Sequence, residues 1–112
     1  MPFYLTRFSY TPDTWAKLMK NPEDRRLAAR QYIEGVGGKL HGFWYAFGEH
    51  DGVTLWEAPD NVSMAAVALA IGGGGALSSM QTTVLLSVED TMAALRKASG
   101  VAYKRPGEAA AR

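Results

Sequence analysis

The sequence predicts an α+β domain in which four antiparallel strands form one sheet with helices on one face. Four segments are rich in aromatic and β-branched residues, as expected of strands. Segments of helical periodicity follow the first, third and fourth of these segments. The helical segments begin at capping residues and most end at glycines. With 112 residues the chain is long enough for one core and too short for two. We expect one domain over residues 1–100 and a tail over 101–112.

The first strand is predicted over Phe3–Tyr10, which carries aromatic and β-branched residues and no glycine. Thr11 is a suitable helix cap, and Pro12 fits the first helical position because its missing N–H needs no partner there. Tyr10 and Trp15 then occupy the two positions of a hydrophobic staple. A short helix therefore follows the strand directly.

A second helical piece is predicted after Asn21-Pro22, which repeats the cap-plus-proline signal. It runs to about Val36, and Gly37-Gly38 ends it. Leu27, Ala28, Tyr32 and Val36 form the apolar stripe expected to face the core. The arginines Arg25, Arg26 and Arg30 are interpreted as a solvated face.

Strands two and three form a predicted hairpin over Lys39–Phe47 and Val53–Glu57, around the turn Gly48–Gly52. If Glu49 and His50 are the central turn residues, Phe43 lies opposite Trp56 and Tyr45 opposite Thr54. One face then carries His41, Phe43, Tyr45, Phe47, Thr54 and Trp56. The other carries Leu40, Trp44, Ala46, Val53 and Leu55, with Gly42 facing Glu57. A slip of one residue would exchange the faces of one strand relative to the other.

The second half of the chain predicts a helix, a strand and a final helix. Asp60 caps the first helix, which ends at Gly72–Gly75. Its apolar residues Met64, Val67, Ala68 and Ile71 follow helical spacing. Strand four is expected over Gln81–Ser87. Ser87–Asp90 resembles a capping box that opens a helix ending near Gly100.

This order of elements corresponds to a ferredoxin-like βαββαβ fold with an additional C-terminal helix. Both faces of the predicted hairpin are apolar, unlike those of a sheet with one solvated face. We therefore expect a second copy of the chain to cover the open face. Two sheets that face each other would form a dimeric α/β barrel, so the expected partner is the chain itself.

Composition narrows the possible functions. The net charge of +1 offers no electrostatic basis for binding nucleic acid or an anionic membrane. Cysteine is absent, which excludes disulfides and thiolate metal sites. The N-terminus lacks the pattern of a signal peptide, and the longest apolar run, Met64–Ile71, is too short to span a bilayer. We expect a cytoplasmic protein, with no metal or other cofactor.

Several short motifs resemble those of the GYD-domain family. They are Pro2-Phe3-Tyr4 before Thr11, Gly38–Phe43, Gly48–Asp51 and Glu57–Asp60, and the similarity extends over roughly residues 2–92. The family is named for a Gly-x-Tyr-Asp turn. Here His50 takes the place of the usual tyrosine, and Trp44 that of a usual strand-two tyrosine. The resemblance implies a dimeric ferredoxin-like fold.

Two weaker similarities suggest functions. The effector-binding domains of leucine-responsive (Lrp/AsnC-type) regulators have a comparable turn in the same hairpin and bind small metabolites at subunit interfaces. This chain lacks their helix-turn-helix segment, so it would be a sensing module without a DNA reader. Small dimeric α/β-barrel monooxygenases and isomerases share the fold alone.

Four polar residues of the hairpin are candidates for chemistry. His50, in the turn, titrates near neutrality and would transfer a proton if it stood at the mouth of the barrel, with Asp51 beside it. Both residues are also explained as ordinary turn chemistry. Glu57 is a second candidate base, or a salt-bridged acid. His41 and Glu57 fall on opposite faces in the predicted register, which argues against a shared metal site.

A ligand pocket between the facing sheets would be lined by the aromatic face of the hairpin and by its turn. Facing rings with threonines among them suit a small planar or apolar metabolite, and the same rings also suit a core or a dimer interface. The predicted ligand-binding residues are Tyr4, Thr6, His41, Phe43, Tyr45, His50, Asp51, Thr54 and Trp56.

Three functions remain open from the sequence. The first is a GYD-type homo-oligomer that binds a small molecule. The second is a cofactor-independent enzyme of the monooxygenase or isomerase kind that uses His50 or Glu57 as general base. The third is a purely structural oligomerisation module, which would follow if Phe43, Tyr45 and Trp56 filled the interior.

Overall fold

The computed structural model describes residues 1–108, so the last four residues of the predicted tail 101–112 lie outside the described part. Its elements are β1 (Phe3–Tyr10), α1 (Pro12–Lys20), α2 (Arg25–Gly35), β2 (Lys39–Tyr45), β3 (Gly52–Glu57), α3 (Asn61–Gly73), β4 (Leu77–Leu85) and α4 (Val88–Ala98). The strands form one antiparallel sheet in the order β2-β3-β1-β4. This arrangement is the predicted α+β, ferredoxin-like fold.

The central strand β1 divides the sheet into a covered and an open face. Its even-numbered residues are buried, whereas Leu5 and Arg7 between them are partly exposed. Tyr4 and its neighbour Trp56 on β3 pack with Ile33 of α2 and with Val67 of α3 in the core. The helices therefore cover the even-numbered face of β1 and leave the odd-numbered face open.

Three helix starts lie where the capping residues predict them. The side chains of Thr11, Asp60 and Ser87 accept hydrogen bonds from backbone N–H groups three residues later, at 3.1, 2.8 and 3.0 Å. The predicted staple is present as well, because the rings of Tyr10 and Trp15 meet edge to face with centroids 5.0 Å apart. Local sequence therefore determines these helix starts.

The predicted start of the second helix is wrong. Asn21 ends α1 by donating its N–H to the Lys17 carbonyl at 2.9 Å, and α2 begins at Arg25. Asp24 is the better cap because its carboxylate accepts from the backbone N–H of Arg26 at 3.0 Å and also binds that side chain. The pattern Asn21-Pro22 therefore marks the link between two helices.

The buried stripe of α2 also differs from the prediction. Ala29 and Ile33 are buried, whereas Leu27 is 65% exposed. The buried positions lie one residue beyond the predicted Ala28 and Tyr32, a rotation of about 100° around the helix. This rotation places Arg25, one turn before Ala29, at the edge of the covered face.

The hairpin register differs from the prediction by two residues. Phe43 pairs with Thr54 and Tyr45 with Gly52, so residues 46–51 form a longer loop than the predicted turn. The loop is closed by the N–H of Ala46, which donates to the Asp51 carbonyl at 2.8 Å. Glycine fits at position 52 because it has no Cβ, and a Cβ here would collide with the ring of Phe8.

A β-bulge at His41 changes which hairpin residues share a face. Leu40 pairs with Trp56 and packs against the core, but the next pair along the strand is Gly42 with Leu55. The extra residue puts His41 beside Glu57, 3.7 Å away, although the predicted register separates them. The prediction that His41 and Glu57 lie on opposite faces is therefore wrong.

The C-terminal part of the structure projects from the sheet. Strand β4 begins at Leu77, four residues before the predicted strand, because it pairs along the whole of β1. Helix α4 makes few contacts with the other elements. The radius of gyration is 18.5 Å, against about 13 Å for a compact chain of this length. Within residues 1–108, the helices are too short or too polar to cross a membrane.

Candidate ligand-binding site

A cavity of about 370 Å³ lies between the covered face of the sheet and the helices. Side chains of the sheet form its floor, and α2, α3 and the glycine-rich segment after α3 form its walls. The lining residues are Thr6, Phe8, Tyr10, Arg25, Tyr32, Phe43, Thr54, Ala70, Ile71, Gly74, Ala76, Leu77 and Met80. Aromatic rings and two threonines thus face a space of the size that small ligands occupy, about 300–1,000 Å³.

The inner end of the cavity is buried and mostly apolar. Phe8, Thr6 and Thr54 are each less than a tenth exposed. The Thr6 hydroxyl lies 2.9 Å from the Thr82 hydroxyl and accepts from the indole N–H of Trp56 at 2.9 Å. Within residues 1–108 the Thr54 hydroxyl has no hydrogen-bonded protein partner, so it is able to bond to a ligand.

The outer end carries the polar groups. The Tyr10 hydroxyl lies 3.3 Å from the Tyr45 hydroxyl, and burial, followed by this hydrogen bond, raises the pKa of Tyr10 above its ordinary value. Burial likewise raises the pKa of Tyr32. Both phenols are protonated at neutral pH. The bond that raises the pKa of Tyr10 has Tyr10 donating its one O–H to Tyr45, so the Tyr32 hydroxyl is the phenol that can donate to a ligand.

Arg25 supplies the one charged side chain among the lining residues within 1–108. Its Nη1 donates to the Glu23 carboxylate at 2.9 Å, and this hydrogen bond is the first cause of the raised pKa of Arg25. A guanidinium has five N–H donors, so the pairing leaves others for a ligand. Arg25 is only partly exposed and is less solvated than expected, whereas Arg26 and Arg30 are exposed as expected.

Three of the predicted ligand-binding residues meet in this cavity, namely Thr6, Phe43 and Thr54. Two others, Tyr4 and Trp56, belong to the core beneath the helices and are at most 2% exposed. The Tyr4 hydroxyl donates to the Asn61 side chain at 2.7 Å. These two residues therefore support the cavity floor from within the core.

Tyr45 lies outside the cavity in an exposed aromatic cluster. Its ring is near those of Trp15 and Phe47, with centroids 6.0 and 6.2 Å apart for Trp15–Tyr45 and Tyr45–Phe47. The hydroxyl contact with Tyr10 is its link to the cavity wall. Tyr45 therefore positions a lining residue.

Asp51 holds the hairpin loop against the junction of β1 and α1. Its Oδ2 accepts from the backbone N–H of Tyr10 at 2.9 Å and from the indole N–H of Trp15 at 3.0 Å. Its own N–H donates to the Phe8 carbonyl at 2.9 Å. Asp51 therefore fixes the strand end from which Phe8 and Tyr10 reach the cavity.

The remaining candidates lie elsewhere. His50 is partly exposed and is not among the lining residues, and its Nδ1 is buried without a hydrogen-bond partner within residues 1–108. His41 stacks on Phe3, with centroids 5.0 Å apart, and lies beside Glu57 on the open face of the sheet. The two candidate bases, His50 and Glu57, are thus both absent from the cavity wall.

The prediction missed Tyr10, Arg25 and Tyr32 as lining residues. Arg25 precedes Ala29 by four residues and Tyr32 by seven, so helical spacing places it near the buried stripe. The helical spacing therefore indicates the position of Arg25 once the buried stripe of α2 is assigned correctly. Among residues 1–108, the histidines and acids form no group of three that could hold a metal ion.

The comparisons with known proteins identify the family of the chain. No curated protein matches the chain. The model of the GYD domain matches residues 4–95, from β1 into α4, and this range includes the hairpin loop with Asp51. Since the match covers most of the 112 residues, the chain belongs to the GYD-domain family.

Proposed function

We propose that this protein is a homodimer that binds a small molecule in the cavity between the sheet and the helices of each subunit. The observation that carries the proposal is the cavity itself, which combines a buried aromatic end with an outer end of hydrogen-bond donors. This location replaces the pocket expected between two facing sheets. The aromatic face predicted to bind the ligand is the face that the helices cover.

The open face of the sheet supports the dimer. Arg7 and Glu57 are charged, and Ser79, Gln81 and Thr83 make the β4 side of this face polar. Apolar side chains occupy the part around β3. The apolar residues at these positions are Phe3, Leu5, Trp44, Val53, Leu55 and Leu85. An apolar sheet face is favourable in water only when another surface covers it, and a second copy presents a matching face by symmetry.

The accessible surface also supports a partner. The chain exposes 7884 Å², whereas a compact monomer of 12.1 kDa exposes about 6,000 Å². The excess of roughly 1,900 Å² per chain is of the order that a subunit of an obligate dimer buries. A second copy is therefore the occupant that the area favours.

Helix α4 accounts for part of this excess. Val88, Met92 and Leu95 form an apolar stripe at helical spacing and are 75%, 44% and 60% exposed. Helix α4 projects from the sheet whose open face needs a covering surface. We infer that α4 packs on the second subunit, which would bury this stripe together with the sheet faces.

A small-molecule-binding role fits the cavity better than the enzyme hypothesis based on His50 or Glu57. General base catalysis requires the base within hydrogen-bond reach of the bound substrate. Neither residue lines the cavity, and Glu57 lies on the open face beside His41. The titratable lining groups, Tyr10, Tyr32 and Arg25, are all protonated at neutral pH, so they suit recognition and do not supply a general base.

The proposal predicts that a cavity-filling substitution removes a bound molecule. Met80 lies on β4 opposite Phe8 and lines the cavity. We expect Met80→Trp to reduce the co-purifying small molecule at least tenfold, because the indole occupies its space. Native mass spectrometry, with extraction and quantification of small molecules from the purified protein, measures this change.

Met19→Trp is the matched control, because Met19 is 74% exposed on α1 and is not a lining residue. We expect it to retain the molecule at the level of the natural chain. Circular dichroism establishes that both variants are folded. The proposal fails if the natural chain carries no molecule, or if folded Met80→Trp carries as much as the control.

A further inference from the structure

The formal charge of the cavity lining is of one sign. The lining residues within 1–108 include one cation, Arg25, and no Asp or Glu. The phenol of Tyr32 lies on the same helix as Arg25 and also lines the cavity, so its O–H is a second donor on this wall. A group that accepts several hydrogen bonds and carries negative charge is the natural complement of the Arg25 guanidinium and this phenol.

The two ends of the cavity differ in their exposure to solvent. Phe8 and Thr54 at one end are 6% and 8% exposed, whereas the Arg25 side chain and Tyr32 are each 37% exposed. The donors of Arg25 and Tyr32 therefore lie towards solvent, and the ring-lined floor, which includes Tyr10 at 8% exposure, lies inside. A ligand that matches this polarity has its anionic group at the outer end and a flat apolar body at the inner end.

We propose that the ligand is an aromatic carboxylate whose carboxylate binds Arg25 and whose ring enters the space between Phe8, Phe43 and Met80. This inference rests on the proposed binding function and specifies its ligand class. The Glu23 carboxylate occupies one Nη1 donor of Arg25 and is itself not part of the cavity wall. The remaining N–H donors are sufficient for a charge-assisted pair with the ligand.

The test uses the charged compound 2-naphthoate and its neutral isostere 2-naphthamide as probes, with isothermal titration calorimetry on the full chain. We expect naphthoate to bind at least tenfold more tightly than naphthamide. Arg25→Gln is expected to weaken naphthoate about 10- to 100-fold, the range for loss of a charged hydrogen bond. Naphthamide affinity should change by less than about twofold in the same variant, because its amide carries no charge.

Two variants serve as controls. Arg30→Gln removes a charge from the exposed side of the same helix and should leave both affinities unchanged. Arg25→Lys keeps the charge and should recover part of the naphthoate affinity. Circular dichroism and a thermal melt show whether Arg25→Gln is folded, and recovery by lysine separates a charge effect from a structural one.

Equal affinity of the two probes, or unchanged naphthoate binding in Arg25→Gln, would overturn the carboxylate inference and leave the pocket function in place. Naphthoate binding that survives in Met80→Trp would also overturn it, because the ring would then lie outside the cavity. If neither probe binds while another molecule co-purifies, the ligand class is wrong. If neither binds and nothing co-purifies, the binding function fails as well.

Discussion

Substitution of Leu55 by lysine is expected to convert the proposed dimer into a monomer. Leu55 lies on the open face of β3, near the middle of the surface that two sheets would share. In a two-fold interface each substitution occurs twice, so two ammonium groups would be buried without partners. We expect the dimer dissociation constant to rise at least about 100-fold. Light scattering after size exclusion, over a range of protein concentrations, measures the change.

Leu69→Lys is the control for this prediction. Leu69 lies on α3 and is 76% exposed, so the same change in charge and hydropathy falls outside the proposed interface. We expect this variant to remain dimeric at every concentration at which the natural chain is dimeric. A monomeric natural chain would contradict the proposed dimer, and a dimeric Leu55→Lys variant would place the interface on another surface.

Loss of the Asp51 carboxylate is expected to lower the free energy of unfolding by about 2–4 kcal/mol, because two donors lose a charged acceptor. These donors are the backbone N–H of Tyr10 and the indole N–H of Trp15. Asp51→Ala leaves both without a protein partner and frees the hairpin loop from α1. Urea unfolding at a fixed protein concentration, followed by tryptophan fluorescence and circular dichroism, measures the loss.

Glu49→Ala is the matched control, since Glu49 is an exposed acid of the same loop. We expect it to change the free energy of unfolding by less than about 0.5 kcal/mol. Asp51→Asn should fall between the two, because its amide oxygen accepts hydrogen bonds without the charge. If Asp51→Ala is no less stable than Glu49→Ala, the hydrogen bonds to Tyr10 and Trp15 contribute nothing to stability.

Local signals were sufficient for most element boundaries. The caps at Thr11, Asp60 and Ser87 satisfy backbone N–H groups only three residues away, so they act within one turn of chain. The signal at Asn21-Pro22 failed because two acids follow it, and Asp24 provides a cap that also binds Arg26. Competition between neighbouring caps is a local effect that a single motif does not reveal.

The register of the hairpin could not be predicted from local sequence signals. The existence of the hairpin follows from the apolar runs on either side of the turn, but its register depends on the bulge at His41 and on Gly52 beneath the Phe8 ring. Both features depend on side chains that meet only after the sheet has formed. The resulting shift moved His41 to the face of Glu57. It also left Thr54 opposite Phe43, where both line the cavity.

The sequence alone determined the class of fold, the order of its elements and the apolar character of both hairpin faces, because periodicity and capping act over a few residues. The tertiary structure decided which face the helices cover, and therefore that the aromatic residues enclose a cavity within the single chain. It also decided that Arg25 reaches this cavity and that His50 and Glu57 do not. These outcomes depend on the rotation of α2 and on strand register, which are set by packing between residues far apart in the chain.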